Sequence, residues 1–169
     1  IRDRMDPVLR ENFIERVFVY HRWQSLCESE LTPAKLIDFH TNHKFSVLAH
    51  DEAAYRELGQ MVAEAGSADL LQLRERYATL LMMAMTKRAT RKLHSNVLTH
   101  IMGFLKDKID SGDKAELLEV IEKYRHGQIP LIVPITLLKH HLRRYPDPYI
   151  ARQSYLNPHP EELMLRNSL

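Results

Sequence analysis

Val8 to Glu28 reads VLRENFIERVFVYHRWQSLCE. Within it Leu9, Phe13, Ile14, Val17, Phe18, Tyr20 and Trp23 recur at three- and four-residue spacing, the period of an amphipathic helix and not of a strand. The same period continues down the chain. Thr32-Pro33 predicts the next helix start, with threonine as N-cap and proline at the first helical position. Leu36, Ile37, His40, Lys44, Val47 and Leu48 extend it. Asp51 caps a third helix over Tyr55, Leu58 and Val62 that stops at Gly66. Ser67 caps a fourth, whose inner stripe is Leu70, Leu71, Leu73, Tyr77, Leu80, Leu81 and Met85. Thr90 opens a fifth, with Leu93, Val97, Leu98, Ile101, Phe104 and Leu105 inside. Ser111 opens a sixth over Leu117, Leu118, Ile121 and Tyr124, ending at Gly127. Pro130 and Pro134 begin a seventh that runs to Tyr145. Pro146, Pro148, Pro158 and Pro160 then break the chain into short pieces. The fold class is all-α: one domain of about seven helices with an irregular, proline-rich C-terminal tail.

The bulk properties agree with a globular domain. A chain of 169 residues buries roughly 70% of its unfolded surface without a staple. Cys27 stands alone, so no internal disulfide forms, and a single cysteine fits a reducing, cytoplasmic compartment. No apolar run approaches the ~20 residues of a membrane span. The chain starts at Ile1, with no signal-peptide pattern, which leads us to expect an excised domain or a trimmed start, with something before it.

Charge is sorted rather than spread. The formal net charge is only +2, yet Lys87 to Lys106 holds Lys87, Arg88, Arg91, Lys92 and Lys106 with no acid. Asp51 to Arg76 nets −3, Asp110 to Glu122 nets −4, and Lys139 to Arg152 nets +3. If the two basic stretches share a face, that face attracts a polyanion. Around the start of the fifth helix, one sector collects Arg91, Lys92, His94 and Ser95. There the free backbone N–H groups and the helix dipole also favour an anion. The candidate nucleic-acid contacts are Lys44, Arg88, Arg91, Lys92, His94, Asn96, His100, Lys139, Arg143 and Arg144. Tyr145, Tyr149 and Tyr155 lie near the second basic stretch, where tyrosine beside arginine stacks bases or simply packs a helix.

Catalytic signatures are weak. Ten histidines invite a metal site, but no HExxH and no cysteine pair occurs. Cys27 lies near Glu28 and Glu30, with no base beside it to activate a nucleophile. No Gly-rich phosphate loop is present. No catalytic residue and no metal ligand is assigned. Two rival readings stand beside nucleic-acid binding. One is an enzyme in its own right, using His40, His43, His94 and His100 in a helical pocket. The other is a protein-interaction module whose basic face docks an acidic partner.

Six segments carry a resemblance: FIERVFVYHRWQ (13–24), FHTNHK (39–44), YRELG (55–59), HSNVLTHIMGFLK (94–106), YRHGQIPLIVPITLLKHHLRRYPDPY (124–149) and YLNPHPEELMLRN (155–167). Together, in this order and spacing, they resemble the YbgA-like family over nearly the whole chain. The resemblance implies a single YbgA-like domain over 1–169, with residues 1–8 as a linker from a preceding domain. Members of this family also form the C-terminal half of proteins that look like tRNA 4-thiouridine desulfidases. It therefore implies a tRNA-binding module acting with a desulfidase domain in cis or in trans. The iron–sulfur cluster would belong to that other domain, with no cofactor in this chain. One departure is Asn42, where the family often has arginine.

Overall fold

The computed structural model describes residues 6–168, apart from the side chain of Glu162. Among them are eight α-helices and no strand: α1 (Pro7–Cys27), α2 (Pro33–His50), α3 (Glu52–Ala63), α4 (Leu70–Thr86), α5 (Arg91–Gly103), α6 (Ser111–Arg125), α7 (Ile132–Arg144) and α8 (Pro148–Ala151). Two 3₁₀ turns, Ser154–Leu156 and Glu161–Leu163, follow. Of the expected linker, residues 1–5 lie outside the described residues, and Pro7 and Val8 already belong to α1.

Local chemistry places the helix starts. Thr32 Oγ1 accepts from Lys35 N at the start of α2. Asp51 Oδ1 accepts from Ala53 N and Ala54 N at the start of α3. Thr90 Oγ1 accepts from Leu93 N at 3.2 Å at the start of α5. Each satisfies a backbone donor that the helix leaves free. At α4 the cap is Asp69, not Ser67. Asp69 reaches two N–H groups, whereas the Ser67 hydroxyl donates back to Glu64 O.

The core forms two apolar clusters on either side of α2. Phe39 and Val47 face Trp23, Leu58, Tyr77 and Leu81, from α1, α3 and α4. Phe45, Leu48 and Ala49 face Leu98, Ile121, Leu138 and Tyr155, from α5, α6, α7 and the tail. The proline-rich tail is thus part of the core: Tyr155 and Ile150 are fully buried.

The first helix corrects its expected orientation. Leu9, Phe13, Val17 and Tyr20 are 49%, 49%, 45% and 50% exposed. Its buried face is Asn12, Glu15, Val19 and Trp23, an equally good helical stripe but one that takes two polar groups inward. Leu71 and Phe104, expected inside, are exposed as well, and so are Ile37 and Leu118.

Candidate nucleic-acid interface

The short link between α4 and α5 carries Lys87, Arg88, Ala89 and Thr90, and it is tied down from below. Asn12 Oδ1 accepts from Ala89 N at 3.3 Å. His50 Nδ1 donates to Lys87 O at 2.6 Å, which leaves Nε2 facing Glu15 Oε2 at 3.4 Å. Thr90 then turns the chain into α5, and with its hydroxyl spent on Leu93 N the N–H groups of Arg91 and Lys92 remain open, as at any helix start.

Arg91 is seated by a glycine. Gly127, just past α6, has φ +76°. A Cβ there would lie 3.0 Å from Arg91 Nη1 and 3.2 Å from its Cζ. The guanidinium occupies the space a side chain would fill.

These residues rim a pocket of about 530 Å³, whose inner lining includes Glu11, His94, Tyr124 and Arg166. Arg166 comes from the C-terminal tail, where its own φ of 69° turns the backbone inward. Its Nε donates to Glu11 Oε1 at 3.0 Å and Nη1 to Tyr155 O at 2.7 Å. Nη2 lies 3.8 Å from Glu15 Oε1, and the guanidinium stacks 4.9 Å from the Tyr155 ring centroid.

The ionisable groups beneath the pocket are strongly coupled. Burial opposes charge on Glu15, but the His50 hydrogen bond and the charge of Arg166 win and hold its carboxyl at about 2. Burial likewise opposes charge on His50, and the Glu15 bond overrides it, raising its pKa. His94 goes the other way: burial, with Arg166 adding repulsion, pushes it down to about 3. It is a neutral ring hydrogen-bonded at 2.9 Å to the Tyr155 hydroxyl. Burial thus favours the neutral ring at His94, within the pocket lining. Ser95, expected in the same outward sector, is also buried.

The structure collects some of the expected contacts and scatters others. Arg88, Arg91, Lys92 and His94 all line the pocket. Lys139 and Arg143 line an adjoining pocket of about 400 Å³ that shares Arg166. The two basic stretches therefore flank one tail segment. Asn96 sits instead in a separate depression with Lys92, Glu52, Glu122 and Arg125. Lys44 lines none of these; its Nζ lies 4.9 Å from the Tyr149 ring centroid. His100 is exposed near the end of α5 beside Phe45. The Arg144 guanidinium lies 5.6 Å from the ring of Tyr145.

The basic stretch is not wholly free of counter-charge in space. Lys87 pairs with Asp51, Arg88 with Asp6 at 3.2 Å, and Lys139 with Glu161 at 3.0 Å. Among the described residues, Arg91, Lys92, Arg143 and Arg144 have no acid within 4 Å. The histidine set does not converge: His40 bonds Tyr77, His43 bonds Phe39 O, and His94 bonds Tyr155. Among the described residues no group of three or more His, Cys, Asp or Glu side chains is placed to hold a metal ion. No helix described is long and apolar enough to cross a membrane.

Sequence reasoning missed Glu11, Glu15, His50, Tyr124 and Arg166. One signal existed: Asn12 and Glu15 share a helical stripe with Val19 and Trp23, so polar groups were in register with the tryptophan.

A family model described as "Protein of unknown function (DUF1722)" matches residues 44–160. The chain belongs to this family. It is similar to the uncharacterized protein YbgA of Escherichia coli (strain K12), 33% identical over 154 residues, which cover 90% of this chain and 91% of that protein. No solved structure matches it. In this DUF1722 member the pocket draws on the α4–α5 link, α5, α6 and Leu131 within 44–160, while Glu11 and Arg166 lie outside that span.

Proposed function

We propose that this chain is an RNA-binding module, for tRNA, working in the cytoplasm beside or fused to an iron–sulfur-dependent thiouridine desulfidase domain. One observation carries the binding part. Arg91 and Lys92 on one side of the Arg166 segment, and Arg143 on the other, are cations without acid partners among the described residues, and they line two adjoining concave pockets. Unpaired cations at an open helix start suit phosphate oxygens. The choice of tRNA and of a desulfidase partner rests on the family resemblance.

Binding to bulk tRNA and to double-stranded DNA, across a salt series, tests the reading. Micromolar or tighter binding with preference for tRNA is the expected result. The double change Arg91→Ala with Lys92→Ala weakens it and flattens the salt slope by roughly 0.7 to 0.9 per lost phosphate contact. Unchanged affinity and slope would remove this helix start from the interface. Displacement by an acidic protein as readily as by tRNA would favour a protein-docking face instead.

A further inference from the structure

The pocket at the start of α5 offers more than cations. A backbone phosphate is held by a rim of cations on an open surface. Here the rim leads into about 530 Å³, within the range of pockets that enclose a small ligand, roughly 300 to 1,000 Å³. The polar groups are also graded by depth. Arg91 and Lys92 are exposed at the rim, whereas Glu11 and Tyr124 are part of the inner lining with the apolar side chains of Val8 and Leu131.

The inner groups have unused bonding capacity. Tyr124 is 5% exposed, and its hydroxyl has no hydrogen-bond partner among the described residues and stays open to the pocket. Its ring is fixed edge-on against His94, with centroids 6.2 Å apart. Glu11 gives one oxygen to Arg166, and no donor of the described residues reaches the other. The pocket therefore offers a hydroxyl and a carboxyl oxygen beside two apolar side chains, with cations at its rim. That is the complement of a heterocycle bearing N–H and carbonyl groups, attached to an anion.

We propose that this pocket takes one whole nucleotide: the phosphate at Arg91, Lys92 and the open N–H groups of α5, the heterocycle beside Val8 and Leu131 with its polar edge toward Glu11 and Tyr124. The inference rests on the RNA-binding reading and sharpens it. The nucleotide is an unstacked one, drawn out of a loop or from a strand end, since a paired base does not present its polar edge. Burial raises the Glu11 carboxyl above its usual range, and its ion pair with Arg166 at 3.0 Å offsets its charge beneath the phosphate.

The test is competition against fluorescently labelled tRNA, with 5′-nucleoside monophosphates and inorganic phosphate as competitors. Nucleoside monophosphates should displace tRNA at concentrations at least about tenfold lower than inorganic phosphate, because only they bury an apolar face. Tyr124→Phe keeps the ring and removes the hydroxyl. It should weaken the nucleotide by about fivefold, leave inorganic phosphate unchanged, and leave the salt slope of tRNA binding intact; its thermal melt checks the fold. Nucleoside monophosphates that compete no better than inorganic phosphate, with tRNA binding preserved, would overturn the nucleotide pocket and spare the RNA-binding reading. Direct nucleotide binding that Tyr124→Phe weakens, in a protein that ignores tRNA, would support the pocket and overturn the RNA-binding reading.

Discussion

At φ +76°, Gly127 holds a left-handed backbone that costs an L side chain about 1–2 kcal/mol. The same residue leaves room for the Arg91 guanidinium 3.0 Å from where a Cβ would stand. Gly127→Ala therefore carries two penalties. Urea denaturation should show a loss of about 1–2 kcal/mol, and tRNA affinity should fall because Arg91 is displaced from its seat. A variant as stable as the parent would mean that the α6 terminus relaxes freely. Such a contact is invisible in sequence: residues 91 and 127 are joined only by the way α5 and α6 pack. The buried Glu15, His50 and Arg166 are equally hidden, since each reads alone as a solvated charge.

α1 shows why helices were legible and their faces were not. Its existence follows from period and caps, and so do the starts of α2, α3 and α5. Its rotation does not, because two stripes compete. Leu9, Phe13, Val17 and Tyr20 form the more apolar one and face outward, while Asn12 and Glu15 go inward with Val19 and Trp23. Specific bonds outweigh bulk hydrophobicity here: Asn12 Nδ2 donates to Val8 O, and its Oδ1 takes the Ala89 N–H. A pair of substitutions separates the faces. Asn12→Leu makes the helix more apolar yet orphans the Ala89 N–H, and should destabilise by about 1–3 kcal/mol. Phe13→Gln removes a large apolar group from the exposed stripe and should change stability by no more than about 0.5 kcal/mol. Chemical denaturation of both variants decides it. The reverse ranking would mean that the exposed stripe is covered in solution.

Across the whole molecule, the tail expected to be irregular closes the structure, and its Tyr155 and Arg166 tie the second core cluster to the pocket. Histidines are buried in three places, and acid should be felt through them. His40 and His43 are pushed down to about 4, and His94 to about 3, by burial first and neighbouring cations second for His40 and His94. For His43 the Phe39 carbonyl partly offsets burial. In the unfolded chain all three take up protons near 6.5. Between pH 6.5 and 4 the unfolded state thus binds more protons, and stability falls as pH falls, by up to about 1.4 kcal/mol per pH unit for each group. His50 has the opposite sign: its raised pKa adds stability below 6.5 that is lost as pH rises through its folded value. Glu15, held at about 2, loses its contribution only below 4.5. The histidines therefore act before the carboxylates, and stability should peak near neutrality. Urea midpoints at pH 7, 6 and 5 should drop steadily, with His94→Asn shallower than the parent. A parent midpoint flat from pH 7 to 5 would show that these imidazoles already carry protons in the folded protein. His94 would then be an imidazolium donating to the neutral Tyr155 hydroxyl, and the base of the site would carry one more positive charge.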